Sequence, residues 1–295
     1  MRILLTALSI MSMLLPGRPA LAATASCQPS ISSCGCTITS AGLYEVISDS
    51  TATVVGADCI DISAPNVKLW IGGHSIIGLG GGVGIHILKS ASGAFIEGLD
   101  LGSGSFASVG SFSVGIQDDA NGAIVAHVNA SENSNAGFLL NRVNGSAISD
   151  FSSDNNAYGV ELFASTLSSI QRMTTDSNSV YGIWLISSSR NIVNFFYARD
   201  NGVAGVYLGC QPSAGPIGGT CKPSNNNRIY DGPQVGAASA SQNYGVAIDA
   251  RNAGNVVSGT AGSGDSSADL EDQNPGCGSD LWFNNSGSTN TSCIH

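Results

Sequence analysis

Positive charge is scarce in this sequence. Of 295 residues, 11 are Lys or Arg against 21 Asp or Glu, and charged residues of both signs make up only 11%. Lysine occurs at Lys68, Lys89 and Lys222 alone. A nucleic-acid surface or electrostatic docking on anionic membranes needs a basic face, so both are disfavoured. A polyanionic glycan is disfavoured more weakly, because a bridging cation can offset the repulsion. Helical periodicity is missing too: apolar residues do not recur at i, i+3, i+4 and i+7 over 11 or more positions. Beyond the first 15 residues no apolar run is long enough to cross a bilayer, and glycines interrupt the most apolar later stretch, residues 67–88. The chain has no Gly-x-Ser-x-Gly elbow, phosphate-binding loop or dinucleotide fingerprint. Disorder is excluded by the 42% of hydrophobic residues.

What the sequence does contain is a repeated phrase. Gly115-Ile116-Gln117, Gly137-Phe138-Leu139-Leu140, Gly159-Val160-Glu161-Leu162, Gly182-Ile183-Trp184-Leu185 and Gly205-Val206-Tyr207-Leu208 follow at intervals of 22, 22, 23 and 23 residues. Outlying copies begin at Gly84 and Gly245. A second apolar mark lies 10–11 residues into the periods, as at Ile148 and Ile170, with Gly, Ser and Asn between. Strands of a few residues separated by polar bends give an all-β, parallel β-helical solenoid. Each period is one coil, and coils stack about 4.8 Å apart to bury faces that none could bury alone.

Residues 1–22 read as a secretory signal peptide: Met1-Arg2, an apolar run to Leu15, then the small-x-small Ala20-Leu21-Ala22. Its removal leaves nine basic and 21 acidic residues, a formal charge of −12. The expected location is secreted, cell-surface or periplasmic. Residues 23–295 form one domain: an N-terminal cap over 23–60, coils over 61–257 with a loop insertion at 209–224, and a C-terminal cap over 258–295. An outward loop is expected over 100–114. In an exported chain eight cysteines favour disulfides. Local pairing gives Cys210–Cys221 and Cys277–Cys293; Cys27, Cys34, Cys36 and Cys59 supply two more bonds in any of three connectivities, with Cys34 and Cys36 too close to pair with each other.

Vertical stacking turns distant residues into neighbours. In each phrase the third residue points outward, which places Glu161, Trp184 and Tyr207 one above another as a candidate glycan platform of rings beside an acid. Aligning the second strands brings His127, Asp150, Arg172 and Phe195 into successive coils. In lyase chemistry His127 is the candidate base, Arg172 the cation for a developing enolate, and Asp150 the group that orients them. Asp118, Asp119 and Glu161 are the carboxylates available to a hydrolase. Asparagines before each glycine, among Asn133, Asn155, Asn178 and Asn201, are expected to bond the backbone of the next bend. Asp154, Asp176 and Asp200 beside them are candidate calcium ligands.

With the repeats laid out, the chain resembles the secreted right-handed parallel β-helix proteins of the pectate-lyase-like superfamily. The similarity is greatest to a bacterial branch with mannuronan-epimerase-like and NosD-like repeats. Residues 59–62, 66–76, the glycine phrases and the ending through Cys277, Trp282 and Cys293 carry it. The resemblance implies contact with polysaccharide and a choice among binding, lyase, hydrolase and epimerase roles. Lyases of this group typically use an Arg or Lys base with calcium held by acidic residues, and the epimerase Asp-Pro-His-Asp run does not occur here. The expectation is an exported carbohydrate-binding or cell-surface β-helix, with a uronate lyase or other glycan-degrading enzyme as first alternative and a purely structural surface protein as second. No cofactor is required, calcium is the candidate cation, and oligomeric state is open.

Overall fold

The computed structural model describes residues 25–209, 222–237 and 242–294. Among them the chain winds into a parallel β-helix whose coils average about 24 residues. The first wall is an 11-stranded parallel sheet that begins at Ala25–Ser26 and ends at Ala268–Asp272. The second wall, of 13 strands, runs from Ser30–Ile31 to Leu281–Phe283, and a short third sheet of four strands closes the N-terminal half. Further along, strands such as Ser169–Thr174 and Ile192–Arg199 are long enough to turn the corner and supply both of the remaining walls.

The repeat sets this register. Glu161 pairs with Trp184 and Trp184 with Tyr207, and the flanking positions Val160, Ile183, Val206 and Leu162, Leu185, Leu208 fill the core. The phrase glycine is a consequence of stacking distance. A Cβ on Gly159, Gly182 or Gly205 would stand 2.5, 2.6 or 2.8 Å from the carbonyl oxygen of the next coil's glycine. Corners are turned by non-glycine residues at positive φ, as at Glu132, Asn155, Ser177 and Asp200. Such residues each cost roughly 1–2 kcal/mol, so the bends need support from within. It comes from a buried amide ladder: the backbone N–H of Asn133, Asn156, Asn178 and Asn201 donates to the side-chain oxygen of Asn156, Asn178, Asn201 and Gln242 in turn, at 2.8–3.0 Å. Asn156 takes the inward rung expected of Asn155, which instead occupies the left-handed corner. A second ladder, Asn191–Asn227–Asn255, repeats the device at another corner.

The ends differ from expectation. Cys36–Ile38 and Gly42–Val46 already belong to the two walls, and Ala268–Asp272 with Leu281–Phe283 adds a further coil after residue 257. That coil was hidden because Asp269 stands where the phrase has glycine. Leu281–Phe283 continues the second wall, with only Trp282 facing in, its Nε1 donating to Asp272 Oδ2 at 2.9 Å. Part of the expected outward loop, Ala107–Gly110, is a strand of the third sheet, so the long interval before Gly115 holds an extra wall segment. Disulfides tie both ends: Cys27–Cys36 and Cys34–Cys59 at the start, Cys277–Cys293 at the finish. The expected Cys210–Cys221 bond and residues 1–22 lie outside the described residues.

Candidate functional site

Two outer surfaces carry the residues singled out by the sequence. On the first wall, Glu161, Trp184 and Tyr207 form one column, as the coil length requires. The column is not an open platform. Trp184 is 1% exposed, its ring between Tyr158 and Tyr181 at 4.8 and 5.2 Å and its Nε1 donating to the Gly209 carbonyl at 3.0 Å. Tyr207 is half-buried and stacks on Tyr181 at 4.8 Å. These rings fill the outer face with a small second core. Glu161 is 4% exposed, and burial pushes its carboxyl up to about 7. The expectation of exposed rings missed this because alternation decides which way a side chain points, not what covers it.

Nearer the N-terminus the same face turns polar. His86 follows Asp61 in the ladder and precedes Gln117. Its Nε2 meets Asp119 Oδ2 at 2.8 Å and its Nδ1 faces Asp58 Oδ2 at 3.4 Å. Burial opposes charge on this ring, but the Asp119 and Asp58 carboxylates outweigh it and raise the imidazole to about 9. Asp118 faces the core instead, and burial lifts it to about 6. Asp58, Asp61 and His86 each bring one ligand atom within 4.8 Å of the others and can hold a metal ion. Sequence reasoning had His86 in the outward column but missed the cluster, because Asp58 and Asp119 enter from bends outside the aligned strand positions.

The calcium candidates are disposed otherwise. Asp154 Oδ1 accepts the Asp176 N–H, and Asp176 accepts from the Arg199 backbone and guanidinium. The Arg199 guanidinium is thus the charge partner of Asp176, and one Asp154 oxygen is taken by the backbone. Asp200 lies at the neighbouring left-handed corner.

The second surface is the corner where the second wall turns. His127, Asp150, Arg172 and Phe195 stack here, all at φ between 52° and 57°. The left-handed bulge lifts each side chain out of the wall. The structure brings the sequence-predicted trio together: Arg172 grips Asp150 with Nε and Nη2 at 2.5 and 2.7 Å, and His127 Nε2 lies 4.0 Å from Asp150 Oδ2. Glu97 extends the chain, its Oε1 at 2.8 Å from His127 Nδ1. Arg172 holds the Asp150 carboxyl below the usual range. Beside them opens a groove of about 570 Å³ lined by Phe106, Phe195 and Tyr197 with Asn129 and Thr174. Phe195 is 54% and Tyr197 41% exposed. Phe106 and Tyr197 escaped the sequence reading; the alternation of Tyr197 with buried Phe196 and Ala198 was the available signal.

Comparison with known proteins bears on the fold. No protein-family model matches the sequence, and no curated protein matches it. Among solved structures, the Dettilon tailspike protein is similar with a TM-score of 0.53 at 14% identity, over 81% of this chain and 61% of its own. A variant of the periplasmic alginate epimerase AlgG gives 0.50 at 16%, over 80% and 61%. The fold shared with these structures is a right-handed parallel β-helix. At this identity the likeness is one of fold, and the chain spans about three-fifths of the length of each of these two structures.

Proposed function

We propose that the protein is an exported, carbohydrate-associated β-helix that holds a polysaccharide strand in the second-wall groove. The observation that carries this is the exposed pair Phe195 and Tyr197 beside the Asp150–Arg172 ion pair. Flat rings cover the apolar faces of sugars, and a fixed ion pair offers donors and acceptors to hydroxyls. Four stacked corner residues span roughly 14 Å at the strand spacing of a sheet, so a chain running along the solenoid axis meets several in succession. The formal charge, −10 for the whole chain and −12 without residues 1–22, favours a neutral polymer over a polyanion. That one solved structure of this fold is named an alginate epimerase supports a glycan ligand by fold analogy. Export is supported by the leader-like start and the disulfides; among the described residues no helix is long and apolar enough to cross a membrane.

The second reading is a uronate lyase, favoured by the contiguous Glu97–His127–Asp150–Arg172 chain. There His127 takes the C5 proton beside the carboxylate and Arg172 leaves Asp150 to bind the developing enolate; the glycosidic C4–O bond then breaks, and the departing oxygen takes its proton from the His127 imidazolium. Affinity electrophoresis against neutral and uronate polymers tests both. Retention by a neutral polymer that falls at least tenfold in Phe195→Ala supports binding. Unsaturated, ultraviolet-absorbing products lost in His127→Ala support the lyase. Neither retention nor products would sink both readings.

A further inference from the structure

We propose that Asp58, Asp61 and His86 form a binding site for a zinc-class divalent cation, with Asp119 as the outer carboxylate that fixes the imidazole. The site lies on the first wall, away from the second-wall groove, and does not depend on the glycan reading.

Its geometry separates the two faces of the His86 ring. Nε2 to Asp119 Oδ2, at 2.8 Å, is an ordinary hydrogen bond, and Asp119 is itself held by Gln117 Nε2 at 3.0 Å and Asn141 Nδ2 at 2.7 Å. Nδ1 to Asp58 Oδ2, at 3.4 Å, is longer than N–H···O bonds normally run. It matches the edge of a tetrahedron around zinc: bonds of about 2.0–2.1 Å place two ligand atoms about 3.3 Å apart. A metal-binding histidine commonly gives its other ring N–H to a carboxylate, which orients the ring and fixes its tautomer. Asp119 does this for His86. The ligand on the far side is secured as well, since Asp58 Oδ1 accepts the Val83 N–H at 2.7 Å. Asp61 completes the set from the adjacent coil, directly below His86 in the ladder.

Charge and chemistry select the cation. Once the imidazole gives up its Nδ1 proton to make room for the ion, it and the two buried carboxylates carry two negative charges, which a divalent ion balances. One nitrogen and two oxygens suit zinc and its neighbours, whereas calcium takes six to eight oxygens. The ligands stand on rigid paired strands and one pinned bend, so little ordering is needed on binding. His86 is only partly buried, which leaves a side for access and for a fourth ligand from solvent.

The test is calorimetric titration of the tag-free protein, stripped with a chelator and dialysed, with zinc chloride and separately with calcium chloride. One zinc per chain at micromolar or tighter affinity is expected, with calcium at least a hundredfold weaker. Asp58→Asn keeps an acceptor for Val83 and should weaken zinc at least tenfold; Asp119→Asn should weaken it roughly tenfold through the ring's orientation. Zinc at a hundred times its Kd should raise the folded-to-unfolded ratio about a hundredfold. Cobalt(II) should show the intense visible bands of a four-coordinate site, lost in Asp58→Asn. Absence of stoichiometric zinc binding, equal affinity in Asp58→Asn and wild type, calcium binding as tight as zinc, or a weak six-coordinate cobalt spectrum in the wild type would each overturn the proposal. The wild-type cobalt spectrum decides the matter even where a variant fails to fold.

Discussion

The two outer faces of this solenoid share one coil spacing and one left-to-right alternation, yet they meet water differently. On the first wall the outward column Glu161–Trp184–Tyr207 is roofed by Tyr158, Tyr181 and Gly209, and its acid is raised to about 7 by burial. On the second wall the corner column His127–Asp150–Arg172–Phe195 stands clear of the sheet and lines an open groove. Aromatic and charged residues occur in both. Backbone geometry separates them: flat strand positions pack against one another across coils, while left-handed bulges project. In a parallel β-helix, outward direction and accessibility are therefore distinct properties.

The largest expected contrast comes from cutting one ring on each face. Trp184→Ala removes a buried indole and its hydrogen bond, and should cost about 3–5 kcal/mol in urea unfolding. Phe195→Ala removes a half-exposed ring at a position that strains any side chain, and should change stability by about 0.5 kcal/mol or less. Equal losses would mean that the groove ring is also a packing residue.

Next in size is the pH dependence of Glu161. Its folded carboxyl, near 7, lies above the ordinary value of 4.5. The folded state thus holds the proton more tightly, and this residue's contribution to stability is complete below about 4.5 and lost as pH rises through 7. The loss amounts to about 3 kcal/mol by pH 8. Glu161→Gln should flatten that part of the stability–pH curve, so the variant gains on wild type between pH 5 and 8. Parallel curves would show that the carboxyl is better solvated than its burial implies.

The smallest effect belongs to the Asp150–Arg172 pair. Despite its two short contacts it is largely in solvent, so Arg172→Ala should cost about 1 kcal/mol or less in stability while reducing polysaccharide retention at least tenfold. A large stability loss with unchanged retention would reassign the pair from ligand contact to corner support.

Much of this architecture was legible in the sequence. The glycine phrase fixed coil length, and coil length alone placed Glu161 beneath Trp184 and His127 beside Asp150. The phrase glycines are required by close backbone stacking, so their spacing is a direct record of the fold. Coils whose glycine is replaced, as by Asp269, or whose wall strand is detached, as in Ala107–Gly110, left no such record. The sites were less legible. The Asp58–Asp61–His86–Asp119 cluster joins bends to strands across three coils, and the burial of Trp184 depends on neighbours two and three positions off its own column. Periodicity reports vertical neighbours well and lateral cover poorly.

Hydroxyl-radical footprinting with the retained polysaccharide, read at single aromatic side chains, distinguishes the two faces in one experiment. Phe195 and Tyr197 should be protected when ligand is present, with Tyr207 and Tyr158 unchanged. Protection of Tyr207 and Tyr158 with Phe195 and Tyr197 still open to the radical would place the ligand on the first wall and contradict the assignment of the groove.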